Sequence, residues 1–184
     1  AGVSVCPICE RAMPFTFAAT VLGVHSVSYF RCATCGLIRT EEPYWLEQAY
    51  GEAIARTDTG LVQRNIAIGA RLAALIRVHF DPKAAFLDLA GGYGLLVRLM
   101  RDRGFDFYWS DKYCANLMAR GFEAERADRP FTAVTAFEVL EHVHDPFTFI
   151  SEALHTNSES TLVFSNLLYE GQTAPSPDWW YYAF

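Results

Sequence analysis

The sequence lacks any run of basic residues. Its 184 residues include 15 Lys and Arg against 21 Asp and Glu, which gives a formal net charge of −6. Proteins that neutralise nucleic-acid phosphates usually carry a basic patch, so this composition argues against a nucleic-acid partner. Because charge can be segregated locally, an RNA-docking role stays open as an alternative.

Long apolar runs are also missing. No run approaches the roughly 18 residues that a membrane-spanning helix needs, and the start of the chain, AGVSVCPICE, has no basic flank followed by a long apolar core. We therefore expect a soluble, cytoplasmic protein with no membrane partner. Apolar residues make up 52% of the chain, which is enough for a packed core.

Cysteine is scarce, and four of the five cysteines form two CxxC pairs, CPIC and CATC. Without a secretory signal, this pattern favours a metal over disulfides. Zn²⁺ binds four thiolates tetrahedrally, and each CxxC pair can direct two sulfur atoms at one ion. Redox-active pairs or disulfides are the alternative. The predicted zinc ligands are Cys6, Cys9, Cys32 and Cys35, and Cys114 is predicted to be a free thiol.

The segment between the two pairs is rich in β-branched and aromatic residues, with the clearest alternation in VHSVSYF. We predict a zinc ribbon over residues 1–42, where a structural zinc ion supplies folding energy that so short a segment cannot obtain from its own core. Residues 43–82 are predicted to be a helical linker, with an amphipathic helix over 60–80 that Asp81-Pro82 ends.

From residue 83 onward, short apolar runs alternate with helical stretches. Strands are predicted at 84–90, 105–111, 122–127, 132–139 and 160–168, and helices at 93–104, 112–121 and 145–155. Such alternation indicates right-handed crossovers and a mostly parallel sheet covered on both faces. Residues 83–184 are therefore predicted to form an α/β, Rossmann-like doubly wound domain.

A glycine-rich loop follows the first predicted strand, in FLDLAGGYGLL (residues 86–96). Ligands of doubly wound sheets bind beyond the carboxyl ends of the strands. Glycines there let backbone amides approach a ligand beside the positive end of the next helix. The spacing does not fit the dinucleotide fingerprint G-x-G-x-x-G, whether it is counted from Gly92 or from Ala90.

Two aspartates narrow the choice of ligand. Asp88 ends the strand before the loop, where its charge would repel a pyrophosphate and attract an ammonium group. Asp111 ends the second strand, 23 residues later, where a carboxylate can accept hydrogen bonds from both hydroxyls of a ribose. A ribose, a positive amino-acid group and no diphosphate describe S-adenosylmethionine. An NAD-dependent oxidoreductase is the alternative that these features disfavour.

The segment LDLAGGYG resembles the first motif of class I S-adenosylmethionine-dependent methyltransferases, which reads roughly D-x-G-x-G-x-G. Asp88, Gly92 and Gly94 match this motif, and Ala90 replaces its first glycine. If that position needs a positive φ, the alanine is expected to lower the affinity for the cofactor.

A second segment, FEVLEHVHDP (residues 137–146), resembles the region after the fourth strand in ubiquinone-biosynthesis-like members of the same superfamily. The resemblance covers about residues 84–168. It implies that Phe137 and Glu138 flank the methionine part of the cofactor, and that Asp128 lies near the adenine. The cofactor-binding residues it implies are Asp88, Ala90, Gly91, Gly92, Gly94, Asp111, Asp128, Phe137 and Glu138.

Methyl transfer is an in-line displacement whose rate depends on the placement of the acceptor, and a general base helps when the acceptor must lose a proton. His142 is the candidate base, and a helix-cap or supporting role is the alternative. Glu138, Glu141 and His142 are also a candidate site for a divalent cation, as similar segments are in some methyltransferases.

The stretch PSPDWWYYAF concentrates aromatic residues, which could line a substrate pocket or pack on the sheet or the ribbon. The methyltransferase sheet usually has seven strands, and five are predicted here, so we expect a C-terminally incomplete domain. The sequence thus predicts O- or C-methylation of a small-molecule acceptor. A non-catalytic zinc-ribbon scaffold and an RNA methyltransferase are alternatives. Neither the acceptor nor the oligomeric state can be read from the sequence.

Overall fold

The computed structural model describes residues 3–49, 58–156, 158–159, 161–169, 171 and 173–183. The chain divides into two compact units. The first, called here the ribbon unit, comprises residues 1–51, 144–147 and 168–184, and the second, the sheet unit, comprises residues 52–143 and 148–167. The predicted boundaries at residues 42 and 82 stay a prediction. No helix in the described part of the chain has the length and apolar character needed to span a membrane.

The ribbon unit contains a four-stranded antiparallel sheet whose strands follow one another in chain order. The strands are β1 (Val3–Val5), β2 (Ala12–Val21), β3 (His25–Arg31) and β4 (Ile38–Thr40), and a short helix, α1, covers Leu46–Ala49. Two small apolar clusters support the sheet. Met13 and Phe30 pack against the cysteines, and Val21 and Val27 pack against Trp45. This sheet confirms the β structure predicted between the CxxC pairs.

The aromatic stretch near residue 180 packs on this antiparallel sheet. The backbone N–H of Leu22 donates to the carbonyl oxygen of Tyr182 at 2.8 Å. The buried ring of Tyr182 meets the ring of Tyr29 edge to face, with centroids 5.9 Å apart, and Trp179 lies 5.3 Å from Tyr182. Of the roles considered for this stretch, the structure shows packing on the ribbon.

The sheet unit is built on a four-stranded parallel sheet in the order β6-β5-β7-β8. The strands are β5 (Ala85–Leu89), β6 (Asp106–Ser110), β7 (Phe131–Phe137) and β8 (Leu162–Ser165). The helices are α2 (Leu61–His79), α3 (Leu95–Asp102) and α4 (Pro146–His155), of which residues 148–155 belong to this unit. This architecture confirms the Rossmann-like α/β fold. These strands and helices lie within three residues of their predicted ends.

Different helices cover the two faces of the parallel sheet. Phe86 of β5 faces one layer, which contains α2 and α3, and the next residue, Leu87, faces the other, which contains α4. In β6, Phe107 faces the layer with α2 and α3, and Tyr108 faces the layer with α4. The rings of Phe86 and Phe107 stack with centroids 5.2 Å apart. Burying each such side chain stabilises the fold by about 1.5–3 kcal/mol, so the alternation of β5 and β6 fixes both strands in the sheet.

The helix predicted over 112–121 is wrong: the segment forms bends and turns. The side chain of Asp111 accepts hydrogen bonds from the backbone N–H groups of Tyr113 and Cys114, which is the pattern of a helix N-cap. No helix follows, because the N–H groups of Leu117 and Met118 donate to the carbonyl oxygen of Tyr93 instead of to carbonyls one turn earlier. A tertiary contact with the glycine-rich loop therefore replaces the helical bonds.

The strand predicted over 122–127 is also wrong. Pairing with β6 begins at one isolated parallel bridge, between Trp109 and Glu123. The chain then turns away through a single turn of 3₁₀ helix, Ala124–Arg126. This stretch, FEAERA, has no β-branched residue and three charged ones, so little apolar surface is available to hold it against the sheet.

Candidate functional site

The four paired cysteines converge in the ribbon unit. The Sγ atoms of Cys6 and Cys35 are 3.5 Å apart, those of Cys9 and Cys32 are 3.4 Å apart, and all four lie within 4.8 Å of one another. None forms a disulfide. Metal–sulfur distances of about 2.3 Å in a tetrahedral site place the sulfurs about 3.8 Å apart. The cysteines therefore form a cluster able to hold a metal ion, as in a zinc ribbon.

The two CxxC pairs lie in equivalent backbone turns. The N–H of Glu10 donates to the carbonyl of Cys6 at 2.9 Å, and the N–H of Gly36 donates to the carbonyl of Cys32 at 3.0 Å. Both donor residues are left-handed, with φ of +58° at Glu10 and +81° at Gly36. In the second turn, the backbone N–H of Cys35 is the main cause that lowers the pKa of the Cys32 thiol to about 6. A thiolate, the form that binds metal, is thus favoured there.

In the sheet unit, the glycine-rich loop leaves the carboxyl end of β5 and leads into α3. Ala90, Gly92 and Gly94 have φ of +52°, +55° and +85°. A left-handed conformation costs a non-glycine residue about 1–2 kcal/mol, and Ala90 bears this cost where the resembling motif has glycine. A Cβ on Gly92 would have no atom within 4 Å, so the loop leaves open space on that side.

Gly91 is required for a different reason, which is close packing. A Cβ on Gly91 would lie 2.9 Å from Cδ1 of Trp109 and 3.0 Å from Oδ2 of Asp88. Both atoms belong to side chains held in place by hydrogen bonds. The loop can therefore pass over Asp88 and beside Trp109 only with glycine at this position.

Side chains from the end of β6 hold Gly92 on both sides. The Nε1–H of Trp109 donates to the carbonyl of Gly92 at 2.9 Å, and the N–H of Gly92 donates to Oδ2 of Asp111 at 2.8 Å. The other oxygen of Asp111 accepts from the backbone N–H groups of Tyr113 and Cys114, each at 2.8 Å. The thiol of Cys114 is also hydrogen-bonded to Asp111. A carboxylate offers roughly four acceptor positions, so a ligand hydroxyl has to displace the thiol, and a second hydroxyl has to displace one backbone N–H.

Asp88 is buried beneath the loop, with 3% of its surface exposed. Its Oδ1 accepts a hydrogen bond from Oγ1 of Thr135 at 2.6 Å. Burial raises the pKa of Asp88 to about 7, the bond from Thr135 opposes this, and the negative charge of Asp111 adds to it. A cation at the loop would favour the charged carboxylate.

A cavity of about 210 Å³ adjoins the loop. It is lined by Leu61, Val62 and Asn65 of α2, by Gly91, Gly92 and Tyr93 of the loop, and by Leu95 and Met118. Ligand sites usually measure roughly 300–1,000 Å³, so this cavity can enclose only part of a cofactor. Together with the open side of Gly92 and the carboxylate of Asp111, it leaves room for part of a ligand at this edge of the sheet.

The carboxyl end of β7 lies beside that of β5. Glu138, the residue after Phe137, is left-handed with a φ of +56°, and its Oε1 accepts a hydrogen bond from Oγ of Ser165 at 2.6 Å. Together with Ala90, it is a strained non-glycine residue at the end of a neighbouring strand, and such strain is common at functional sites. In the 3₁₀ turn that follows, burial lowers the pKa of His142, against the charge of Glu138.

Two further predictions fall outside this arrangement. In the part of the chain that the structure describes, the cysteine cluster is the one group of three or more ligating side chains close enough to hold a metal, so the ligand atoms of Glu138, Glu141 and His142 are not gathered in this structure. Asp128 has an 87% exposed side chain, 3.8 Å from Arg129. The strand predicted over 122–127, which would have ended just before Asp128, does not form.

Hydrogen bonds join several of the predicted residues through side chains that sequence reasoning missed. The missed residues bond to three predicted ones: Trp109 to Gly92, Thr135 to Asp88, and Ser165 to Glu138. Trp109 had a readable signal, because residues two apart in a strand point to the same side and Trp109 precedes Asp111 by two. Thr135 and Ser165 had none, since their partners come from other strands.

Residues 61–184 match the model of a family described as a methyltransferase domain. Comparison with curated proteins finds no match. The family match includes the whole parallel sheet, the glycine-rich loop and both of its aspartates, and it covers more than half of the chain. The chain belongs to this methyltransferase family, and its sheet unit has the Rossmann-like fold of the class I enzymes.

Proposed function

We propose that the protein transfers a methyl group from S-adenosylmethionine to a small-molecule acceptor, at oxygen or carbon. The observation that carries the proposal is the joined arrangement of the glycine-rich loop and Asp111. In a chain of this methyltransferase family, a carboxylate that is bonded to the loop stands beside an open glycine and a cavity. The net charge of −6 favours a small molecule over RNA as the acceptor.

When bound, S-adenosylmethionine supplies an activated methyl group on a sulfonium, and the acceptor displaces the sulfur. Asp111 accepts a hydrogen bond from a ribose hydroxyl, while Gly92 lets the ligand approach the backbone. Asp88 is buried beneath the loop and does not contact the ligand directly. Its negative charge attracts the positive amino-acid group of the cofactor through the loop. Phe137 and Glu138 flank the methionine part, and the bond from Ser165 fixes the carboxylate of Glu138.

His142 serves as the general base for an acceptor that must lose a proton. Burial lowers the pKa of His142, which keeps the imidazole neutral and able to accept a proton at neutral pH. In the ribbon unit, a zinc ion held by the four cysteines has a structural role, since four thiolates leave no open coordination position for a substrate.

The test is calorimetric titration of the metal-loaded protein with S-adenosylhomocysteine, with NAD⁺ as the ligand control. We expect micromolar binding of S-adenosylhomocysteine and none of NAD⁺. Asp111→Asn, which replaces acceptor lone pairs by N–H donors, is expected to weaken binding at least tenfold. Asp102→Asn is the matched control, since Asp102 is an exposed aspartate paired with Arg98. Binding of NAD⁺ alone, or of neither ligand, would overturn the proposal.

A further inference from the structure

Trp109 is the side chain that fixes the carbonyl side of Gly92. We propose that Trp109 is a positioning residue for cofactor binding, which holds the glycine-rich loop in its ligand-ready conformation before the ligand arrives. The inference rests on the proposed function, because it names a further residue of the same site.

Two side chains bond the peptide groups of Gly92. Its C=O accepts from Nε1–H of Trp109 at 2.9 Å, and its N–H donates to Asp111 at 2.8 Å. Trp109 lies in β6, and Asp111 is the first residue after that strand. The carboxyl end of β6 therefore determines the orientation of both peptide groups of the central glycine.

Trp109 is itself held in place by backbone bonds and by packing of its ring. Its backbone N–H donates to the carbonyl of Phe122 at 2.8 Å, and it pairs with Glu123 in the isolated bridge. The indole packs against the core layer that α2 and α3 cover. Its Cδ1 also lies where a Cβ on Gly91 would come within 2.9 Å. The ring thus contacts two consecutive loop residues from a fixed position.

The glycine-rich loop has high conformational entropy when it is not held. Glycine loses more conformational entropy on ordering than any other residue, so a loop with three glycines among residues 91–94 is costly to order at binding. Asp111 alone is a poor restraint, since it also bonds Tyr113 and Cys114 and must accept a ligand hydroxyl. The bond from Trp109 is not in competition with the ligand. The bond from Trp109 therefore orders the loop before the ligand binds. Less conformational entropy is then lost on binding, which raises the affinity for the cofactor.

Trp109→Phe tests this, because it keeps an aromatic ring and removes the N–H. We expect its affinity for S-adenosylhomocysteine to fall three- to tenfold in calorimetry, through a less favourable entropy. We also expect faster amide hydrogen exchange at Gly92 and Gly94 in the ligand-free protein. Trp45→Phe is the control: it removes an indole that is even more deeply buried, in the ribbon unit, and should change neither quantity.

The outcomes separate the two proposals. If the wild-type protein does not bind S-adenosylhomocysteine, the proposed function fails. If the wild type binds but Trp109→Phe binds equally well, or exchanges its loop amides at the wild-type rate, the positioning role is overturned. Should Trp109→Phe not fold, the wild type still decides. Its Trp109 indole N–H should be protected from solvent exchange without ligand, and fast exchange there contradicts the inference.

Discussion

The hydroxyl of Thr135 donates a 2.6 Å hydrogen bond to Oδ1 of Asp88, directly across the pairing of β7 with β5. Both residues are buried, with 1% and 3% of their surfaces exposed. The bond replaces one of the water molecules that a carboxylate would bind in solution. It does not offset the loss of the others, so burial raises the pKa of Asp88 to about 7.

This raised pKa predicts a specific dependence of stability on pH. The folded protein keeps a proton on Asp88 that the unfolded chain, with a pKa near 3.8, has released. The contribution of Asp88 to the free energy of unfolding therefore falls as pH rises from about 4 to 7 and stays low above that. Asp88→Asn keeps the acceptor for Thr135 and removes the charge, so it should become more stable than the wild type at high pH.

We expect the stability advantage of Asp88→Asn, measured by urea unfolding, to grow by roughly 2–3 kcal/mol between pH 5 and pH 8. The metal site is common to both proteins and cancels in this difference. Asp102→Asn, at an exposed position, should show no such growth. An advantage that is the same at both pH values would contradict the raised pKa.

Ala90→Gly should stabilise the protein, although glycine usually destabilises. Ala90 has a φ of +52°, and relief of that strain, about 1–2 kcal/mol, exceeds the extra entropy that glycine gives the unfolded chain, about 0.4–1 kcal/mol. The free energy of unfolding should therefore rise by about 0.5–1 kcal/mol. Ala74→Gly, at an exposed position inside α2, should lower it by about 1 kcal/mol. Two changes of the same sign would show that Ala90 is not strained.

Gly91→Ala should abolish binding of S-adenosylhomocysteine and destabilise the sheet unit. The new Cβ would lie 2.9 Å from Trp109 and 3.0 Å from Asp88, neither of which can move without losing a hydrogen bond. Overpacking of this kind costs about 1–3 kcal/mol. Gly69→Ala is the control within α2, where the nearest atoms would be at ordinary contact distances of 3.6–3.7 Å. Normal ligand binding by Gly91→Ala would exclude the tight packing at the loop.

Metal removal should loosen the aromatic stretch near residue 180 as well as the cysteine turns. Phe30 packs with the cysteines, and its neighbour in β3, Tyr29, carries the ring of Tyr182. We expect a chelator to release one zinc ion per chain and to reduce the near-ultraviolet circular dichroism of these aromatic residues. Cys9→Ser should reproduce both effects. Cys114→Ser, outside the cluster, should retain the metal, and loss of metal from both variants would contradict the assignment.

Much of the fold could be predicted because its signals are local. Each of these signals lies within one short segment: the apolar runs of β5 and β7, the amphipathic pattern of α2 and the spacing of the CxxC pairs. The segment 112–121 could not be predicted, because Leu117 and Met118 bond to Tyr93, a residue distant in sequence. The same limit applied to the site: Asp111 follows a recognisable strand, whereas its link to Gly92, like the bond from Thr135 to Asp88, exists only once the strands are side by side.

The packing of Tyr182 on Tyr29 has a consequence for how the protein is made. The ribbon unit takes its residues from three parts of the chain, before, within and after the residues of the sheet unit, so its last part is made only after the whole sheet unit. During translation, the cysteine turns emerge first and can bind metal at once, but the aromatic face of β3 stays uncovered until residues 179–183 have been synthesised. The antiparallel sheet therefore has to persist with one face uncovered until the sheet unit has been synthesised. For the same reason, recombination that replaced only the N-terminal residues would separate Tyr29 from the ring of Tyr182 that packs on it.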